Sequence, residues 1–388
     1  MKKINYGRQD INDADIEAVI SVLRSDWLTQ GPVVPEFEDS ISKYCDVKHA
    51  VAVNSATSAL HISCLALEVG KYDYVWTSPT TFVASANCAL YCGAKIDFVD
   101  IDPITKNLSV RNLETKLIEA KKLGKLPKVV IPVHLNGQSC NMAEIYALSK
   151  KYGFSIIEDA SHAIGGKYKS EAIGNCRYSD ITVFSFHPVK IITTGEGGIA
   201  VTNNFAINKK LRLFRSHGIT NSTEDMKSRP TSEIWNYQQI TLGFNYRMTE
   251  LQAALGMSQL SRIDEFVESR HNIANRYDKE LLDLPLYTPI QHKDCYSAFH
   301  LYVVQIAQED TSITQIELHN KMQEYNINVN LHYIPVYLQP FFEAMGFERG
   351  YCPQAEKYYQ TVLSIPIYPA LTDKEQGQVI NALFEILN

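Results

Sequence analysis

Apolar side chains recur every three or four residues from Ile16 to Leu23, directly after the turn-forming residues Asn12 and Asp13. This spacing predicts an amphipathic helix that begins near residue 13. Farther along, up to about residue 205, short apolar runs alternate with helical patterns. The runs predict buried strands at residues 50–53, 74–77, 96–99, 129–133, 155–157, 181–186 and 199–202. Helices are predicted between several of these strands, at residues 59–67 and 142–152.

The alternation of strands and helices predicts an α/β fold, in which helices cover both faces of a parallel or mixed sheet. The last third of the chain predicts helices at 250–260, about 264–282, 316–325 and from 373 onwards, with a strand at 301–306. An irregular pattern around residues 229–230 predicts a loop. We therefore expect a large domain over residues 12–250 and a smaller α+β domain over 251–388.

Composition narrows the class of protein. The 388 residues are 45% hydrophobic and 21% charged, with a formal net charge of −6 and no Lys/Arg blocks, which argues against a nucleic-acid-binding protein. There is no run of about 18 apolar residues that would span a membrane, and the first ten residues lack the apolar stretch of a signal peptide. The eight cysteines form no paired CxxC blocks, so we expect free thiols in the cytoplasm and no metal site.

Three predicted strands end in residues that can carry chemistry, and open α/β sheets bind ligands outside the carboxyl ends of their strands. After strand 50–53 comes Asn54-Ser55-Ala56-Thr57-Ser58, where small and hydroxylated residues open a helix. Backbone N–H groups at such a helix start can bind a phosphate. A simple Ser or Thr helix cap is the alternative.

The second strand end is followed by Glu158-Asp159-Ala160-Ser161-His162. A carboxylate at this place could cap a helix or bind a metal. It could also pair with a pyridinium nitrogen and keep that ring protonated, which makes the ring an electron sink.

The third strand end leads through Ser185-Phe186-His187-Pro188-Val189 to Lys190, with Thr193-Thr194-Gly195-Glu196-Gly197-Gly198 beyond it. A lysine in an apolar, proline-containing turn loses its charge readily and can act as an amine nucleophile. A solvated surface lysine is the alternative. The glycine segment matches neither a P-loop nor GxGxxG.

An enzyme dependent on pyridoxal 5′-phosphate (PLP) needs a phosphate-binding site, an acid that pairs with the pyridinium nitrogen and a downstream lysine. In this order they resemble the sugar aminotransferases of the DegT/DnrJ/EryC1/StrS family. The resemblance covers essentially the whole chain, in the stretches DWLTQGP (26–32), NSATSAL (54–60), TFVASANCAL (81–90), EDASHAIGG (158–166), SFHPVKIITTGEGG (185–198), RSHG (215–218), LGFNYRMTELQAALG (242–256) and HYIPVY (332–337). It implies the fold-type I (aspartate-aminotransferase-like) α/β architecture and a homodimer with shared active sites.

The resemblance also implies a role for each residue of the cofactor site. Lys190 would carry PLP as a Schiff base and then move protons, while Asp159 would pair with the pyridine nitrogen. His162 would lie beside the ring and its 3-hydroxyl, and Phe82 would stack on the ring; a structural histidine and a core aromatic residue are the alternatives. The phosphate would be bound by Ala56, Thr57, Ser185 and, from the neighbouring subunit, Asn245.

Substrate contacts are implied at the N-terminal segment and at several later positions. These residues are Tyr6, Arg8, Asp26, Trp27, Leu28, Thr29, Ser55, His187, His332 and Tyr333. A fold-edge role for Tyr6 and a packed core imidazole for His332 are the alternatives. His187 stands where the family often has Tyr, and SFHxxKxITTxEGG resembles the branch that makes the pseudaminic-acid precursor. That branch aminates C4 of UDP-2-acetamido-2,6-dideoxy-β-L-arabino-hex-4-ulose, with L-glutamate as donor and PLP and its amine form PMP as cofactor.

Other functions stay open at this point. Aminotransferases of the same family act on dTDP- or GDP-linked keto sugars, at C3 or C4. Sugar 3-dehydratases of the same fold have His in place of the lysine, so Lys190 disfavours that reading. A non-catalytic regulator is disfavoured because Lys190, Asp159 and Asn245 are all present.

Overall fold

A computed structural model describes residues 3–228, 233 and 235–388 of the chain. The loop predicted around residues 229–230 lies outside these residues. Among the helices that are described, none combines the length and the apolar character needed to cross a membrane.

The secondary structure follows the predicted alternation. The strands are β1 His49–Val53, β2 Tyr74–Thr77, β3 Lys95–Phe98, β4 Val129–Ile131, β5 Ser155–Asp159, β6 Lys167–Tyr168, β7 Glu171–Ala172, β8 Ile181–Ser185, β9 Gly198–Thr202, β10 Ile219–Thr220, β11 Gln238–Gln239, β12 Leu286–Tyr287, β13 Cys295–Tyr296, β14 Tyr302–Ile306 and β15 Val362–Ile365. The helices are α1 Asp13–Leu23, α2 Val33–Cys45, α3 Ala56–Ala66, α4 Ala84–Tyr91, α5 Val110–Leu123, α6 Met142–Tyr152, α7 Phe205–Arg215, α8 Glu250–Leu260, α9 Ile263–Glu280, α10 Gln315–Glu324, α11 Pro340–Glu343, α12 Pro353–Tyr359 and α13 Asp373–Leu387.

Seven strands form the main sheet, in the order β1-β9-β8-β5-β4-β2-β3. Strand β9 runs antiparallel to both of its neighbours, and every other neighbouring pair in this sheet is parallel. The parallel strands β5 and β8 are adjacent, so their carboxyl ends lie side by side at one edge. This places the second and third predicted strand ends next to each other.

Both faces of the main sheet are buried. Val51 and Val53 of β1 belong to a core cluster that includes helix α3, whereas Ala50 and Ala52 belong to a second cluster that includes Phe37 of helix α2. Alternate residues of a strand point to opposite faces, so a strand that is apolar throughout packs against helices on both sides. The predicted α/β fold class is therefore confirmed.

The first helix begins where the sequence pattern places it. Asn12 Oδ1 accepts a 3.0 Å hydrogen bond from the Asp15 N–H, and the Asp15 carboxylate accepts one of 3.0 Å from the Asn12 N–H. This reciprocal cap satisfies backbone donors that a helix start otherwise leaves without partners. The Asp15 carboxylate also contacts Arg262 at 2.6 Å and thereby ties α1 to the start of α9.

The C-terminal part has its own core around the three-stranded sheet β12-β14-β15. Its buried members include Tyr277, Val304 and Leu383, together with Ile4 from the N-terminus. Ile4 forms a parallel bridge with Ile327, so the N-terminal segment packs against the C-terminal part. The boundary predicted at residue 250 stays a prediction. Helix α8, which starts there, packs against α1 and α2.

Candidate active site

The three predicted strand ends meet at the carboxyl edge of the main sheet. Asp159 ends β5 and pairs with Val183 of β8, while Ser185 ends β8 and pairs with Gly198 of β9. Gly198 in turn lies against the backbone of Ser55 and Ala56 at the start of α3. The ends of β5 and β8, the start of β9 and the start of α3 therefore lie next to one another, although they are far apart in the sequence.

The start of α3 forms a cradle of backbone groups. Ser55 caps the helix, since its Oγ accepts a 3.2 Å hydrogen bond from the Ser58 N–H. The first N–H groups of a helix, here those of Ala56 and Thr57, have no partner within the helix. A Cβ on Gly198 would stand 2.4 Å from the Ala56 nitrogen, so only glycine allows this close approach. Together with the positive end of the helix dipole, this geometry suits an anion.

The Asp159 carboxylate is buried and held on both oxygens. Oδ1 accepts hydrogen bonds from the Ser161 N–H at 3.1 Å and the Ser161 hydroxyl at 2.5 Å. Oδ2 accepts one from the Ser85 hydroxyl at 2.5 Å. A carboxylate offers about four acceptor positions in total. Oδ2 therefore keeps room for one further donor, as a protonated ring nitrogen would be.

Lys190 lies in a turn after β8, where its N–H donates to the His187 carbonyl at 2.9 Å. Burial lowers the pKa of its amine to about 8, and the negative charge of Asp159 only partly opposes that shift. Among the residues that the structure describes, none forms a hydrogen bond or an ion pair with its Nζ. An amine with such a pKa is neutral in a substantial fraction of molecules near neutral pH and can act as a nucleophile or a base. The alternative of a solvated surface lysine is disfavoured.

His162 lies between two hydrogen-bond partners. Its Nδ1 accepts a 3.3 Å bond from the Asn136 N–H, and its Nε2 lies 3.2 Å from the Tyr333 hydroxyl. Burial and the nearby Lys190 hold the pKa of the imidazole well below its usual range. The ring is therefore neutral with its proton on Nε2, and it donates that proton towards Tyr333.

Two further predicted residues line the same region. His332 is buried, with Nδ1 2.8 Å from the Ser364 hydroxyl, and burial lowers its pKa to about 3. Its ring lies 5.3 Å from that of Tyr6, which brings the N-terminal segment to this place. His332 is thus packed as the alternative expects, and its contact with substrate stays a prediction.

Phe82 is 59% exposed, and its ring centroid lies 6.5 Å from that of Tyr333. In the described chain it is therefore not a core aromatic residue. An exposed ring beside Tyr333 is available to stack on a ligand.

Several predicted residues are exposed, and one of them, His187, contacts this cluster through its carbonyl, which accepts the Lys190 N–H at 2.9 Å. They are Arg8, Asp26, Trp27, Leu28, Thr29, His187 and Asn245. The Leu28 carbonyl accepts a 3.1 Å hydrogen bond from the Glu250 N–H, which fixes this stretch at the start of α8. Asn245 pairs with Ser216 in an isolated bridge and leaves its side chain at the surface.

Some residues at the site were not predicted. Ser85 and Ser161 hold the Asp159 carboxylate, and the His300 ring lies tilted against that of His162 with ring centroids 4.4 Å apart. Ser85 and Ser161 lie inside the stretches TFVASANCAL and EDASHAIGG, so their place in these motifs is the signal that could have found them. His300 lies in no such stretch, and the sequence carried no signal for it.

The residues present fit a pyridine ring that carries a phosphate. The cradle at Gly198 fits the phosphate, the remaining acceptor position of Asp159 fits a ring N–H, and the desolvated Lys190 provides an amine. A mostly parallel sheet that presents these three features at one edge defines a PLP-dependent transferase of fold type I.

The chain belongs to the DegT/DnrJ/EryC1/StrS aminotransferase family, whose sequence profile matches residues 9–384. It is 39% identical to the UDP-4-amino-4,6-dideoxy-N-acetyl-beta-L-altrosamine transaminase of Campylobacter jejuni over 99% of this chain and 97% of the relative.

Solved structures agree with this assignment. Helicobacter pylori PseC, an aminotransferase of pseudaminic acid biosynthesis, superimposes with a TM-score of 0.89 at 30% identity and covers 100% of this chain and 99% of its own. The PLP form of a putative sugar aminotransferase from Streptococcus pneumoniae gives a TM-score of 0.88 at 28% identity, with 100% of each chain covered. The predicted family, aminotransferase activity and PLP cofactor are confirmed.

Proposed function

We propose that this aminotransferase transfers the amino group of L-glutamate to C4 of a UDP-linked 4-keto-6-deoxy-N-acetylhexosamine, in the synthesis of a pseudaminic-acid precursor. The observation that carries the proposal is the 39% identity, over 99% of the chain, to a transaminase named for the corresponding 4-amino sugar. His187 in the SFHxxKxITTxEGG stretch points to the same branch.

The cofactor phosphate would be bound at the start of α3. Ala56 and Thr57 would offer their backbone N–H groups and the buried Ser185 its hydroxyl, while Gly198 lets β9 lie directly against the start of α3. A dianionic phosphate is stabilised by the helix dipole and by several short hydrogen bonds at once.

Asp159 would hold a proton on the ring nitrogen. When bound, the PLP ring supplies an electron sink for the electrons that are released when a C–H bond next to the amino group breaks. The two serines that hold Asp159 keep its charge in place, and burial strengthens its attraction for the ring cation because water screens it less.

Lys190 would hold the cofactor and then move protons. Its Nζ would take the proton from Cα of glutamate and deliver it on the cofactor side, and it would reverse this order when the keto sugar accepts the amine. A pKa of about 8 suits both directions near neutral pH, because the amine is neither a very weak base nor permanently charged.

His162 and Tyr333 would position the ring substituents. Neutral His162 keeps Nδ1 on the Asn136 N–H and directs its Nε2 proton towards Tyr333, so the Tyr333 hydroxyl is free to donate its own proton to a ligand oxygen. Burial and Asp159 raise the Tyr333 pKa, so the phenol keeps this proton at neutral pH. Phe82 would cover the ring face.

We further propose a homodimer in which Asn245 reaches the phosphate in the neighbouring subunit. Within one chain Asn245 is exposed, and its backbone forms a bridge with Ser216. The stretch before it carries large exposed apolar residues, among them Trp235 at 72% and Leu242 at 75% exposure. Exposed apolar residues grouped in this way mark interaction surfaces.

Substrate would enter from the exposed side of the site. Tyr6, Ser55, His332 and Tyr333 would line the substrate cleft, and further substrate contacts would come from Arg8, Asp26, Trp27, Leu28, Thr29 and His187. The guanidinium of Arg8 is exposed and could pair with a diphosphate. The eight cysteines are all free, which agrees with a cytoplasmic enzyme.

The test is incubation of the PLP-loaded enzyme with glutamate and a panel of UDP-, dTDP- and GDP-linked 4-keto sugars, with NMR of each product. We expect turnover of the UDP-linked N-acetyl sugar and a new amine at C4. Lys190→Ala protein is the matched control, because any amination that it still gives does not depend on the active-site lysine. Turnover confined to a dTDP- or GDP-sugar, or an amine at C3, would exclude the proposed substrate while leaving the aminotransferase activity in place.

A further inference from the structure

A second cavity lies apart from the PLP site, between the N-terminal and C-terminal parts of the chain. Its volume is about 400 Å³, which is within the range of small-molecule sites and far above the roughly 30 Å³ that one water occupies. One wall comes from loops at residues 103–106 and 135–138, and the other from residues 287–309 and 354–361. Lys190 and Asp159 do not line it.

Three buried polar atoms on the cavity wall have no hydrogen-bond partner of acceptable geometry in the described structure. They are Asn136 Oδ1, Gln291 Oε1 and the Tyr358 hydroxyl. The Asn136 side chain lies close enough to the Tyr358 hydroxyl to lower its pKa, against the larger effect of burial, although no hydrogen bond of acceptable geometry joins Asn136 Oδ1 and this hydroxyl. Buried polar groups are almost always satisfied, so these atoms call for a partner that the chain itself does not provide.

Two lysines and two carboxylates lie at the entrance. Lys106 lies over the Tyr358 ring, 5.8 Å from its centroid, and the exposed Lys357 is close enough to lower the Lys106 pKa, although burial is the larger cause. Glu309 is the acidic residue of the lining, and the Tyr287 hydroxyl already donates to it. Asp102 lies near Lys106 and offsets part of its charge. Glu309 also lies near Lys357, which helps to lower the pKa of its carboxyl after the larger effect of the Tyr287 hydrogen bond, and the Lys106 ammonium donates to the Pro103 carbonyl. A phosphate would therefore bind by pairing directly with the two ammonium groups and not through a net positive field.

We propose that this cavity is a second small-molecule site, which binds a phosphate ester of a sugar or a nucleoside. The hydroxyl groups of the ligand would donate to Asn136 Oδ1 and Gln291 Oε1 and pair with Tyr358. Its phosphate would lie between Lys106 and Lys357. A hexose phosphate or a nucleoside monophosphate is of a size that this cavity can hold.

Binding there would be linked to the PLP site through Asn136. The side chain of Asn136 faces the cavity, while its backbone N–H donates to His162 Nδ1 at 3.3 Å. A ligand that fixes Asn136 would therefore also fix the imidazole that contacts Tyr333.

The test is isothermal titration of the PLP-loaded enzyme with glucose 1-phosphate, with UMP and with inorganic phosphate. The ester that binds more tightly shows whether the site takes a sugar phosphate or a nucleoside phosphate. Lys357→Gln and Tyr358→Phe should each weaken its binding by about tenfold, since each removes one hydrogen bond or charge contact. The exposed Lys122→Gln on α5 is the matched control and should bind as wild type does.

Without an ester, all three variants should keep the wild-type transamination rate, which separates this site from the proposed active site. Lys357 is exposed, so its replacement leaves the fold intact. The proposal is overturned if neither ester has an affinity that depends on Lys357 and Tyr358, or if inorganic phosphate alone binds as tightly as the esters do.

Discussion

The hydroxyl of Ser85 donates a 2.5 Å hydrogen bond to Oδ2 of Asp159, across 74 residues of sequence. Ser85 lies in the first turn of α4, and Asp159 is the last residue of β5. Ser161 holds the other carboxylate oxygen from the opposite side. The acid is therefore fixed in orientation, with one acceptor position left for a ligand.

Asp159→Asn should slow the conversion of PLP to PMP by glutamate by several orders of magnitude. The amide keeps the shape but carries no charge, so the ring nitrogen would lose its proton at neutral pH and the ring would withdraw electrons poorly. The measurement is the single-turnover rate, followed by absorbance. Asp159→Glu should be intermediate, because it keeps the charge and displaces it by one methylene.

Asp159→Asn protein should fold and bind PLP, since the amide swap changes little volume. A folded, PLP-loaded Asp159→Asn protein that converts at nearly the wild-type rate would show that Asp159 is not the ring partner. Collapse of the fold would instead favour a structural role at the end of β5.

Lys190→Ala should reduce transamination by at least about a hundredfold, because it removes the amine that holds the cofactor and moves the proton. PLP should still bind through its phosphate, without the absorption band that borohydride bleaches in the wild type. Retention of more than a small part of the wild-type rate would contradict the assignment.

The rate at which apoprotein takes up PLP covalently should rise with pH and level off above about pH 8, not near the ordinary lysine pKa of 10.5. The neutral amine is the reactive form, and a lowered pKa means that the proton leaves at lower pH. Because the charge of Asp159 raises this pKa, Asp159→Asn should move the midpoint to still lower pH. Stopped-flow absorbance across this range measures both midpoints, and a midpoint near 10.5 would rule out desolvation of Lys190.

Asn245→Ala protein, mixed with Lys190→Ala protein, should regain activity. In a hybrid of two subunits with shared sites, one site carries both lesions and the other carries neither. The experiment requires that each variant alone is strongly impaired and that subunit exchange is demonstrated, for example with tagged chains. Absence of recovery despite exchange would place Asn245 in its own subunit's site.

Gly198→Ala should lower the free energy of unfolding by about 1–3 kcal/mol and weaken PLP binding. Its Cβ would stand 2.4 Å from the Ala56 nitrogen and 2.5 Å from the Ser55 carbonyl carbon, so the cradle would have to open. Gly70→Ala is the matched control, since its Cβ would meet no atom within 4 Å. Denaturant unfolding and PLP titration measure both effects, and equal behaviour of the two variants would refute the close approach.

Local sequence pattern predicts the elements whose burial is periodic. Strand β2 and helix α6 have the predicted bounds, because their apolar residues mark both ends. Helix α3 begins at Ala56, three residues before the predicted start, since its first turn is polar and is fixed by the Ser55 cap. Strands β6, β7 and β13 have two residues each and were not predicted, because two residues show no alternation.

By itself, the sequence determined the α/β class, the three reactive strand ends and, through its motifs, the family and the cofactor. Only the tertiary structure decided which side chains meet: Tyr333 reaches His162 across 171 residues, and Ser85 reaches Asp159. It also decided that burial lowers the Lys190 pKa to about 8. The physical reason is that periodicity reports only which face of an element is apolar, whereas contacts and desolvation depend on how separate elements pack.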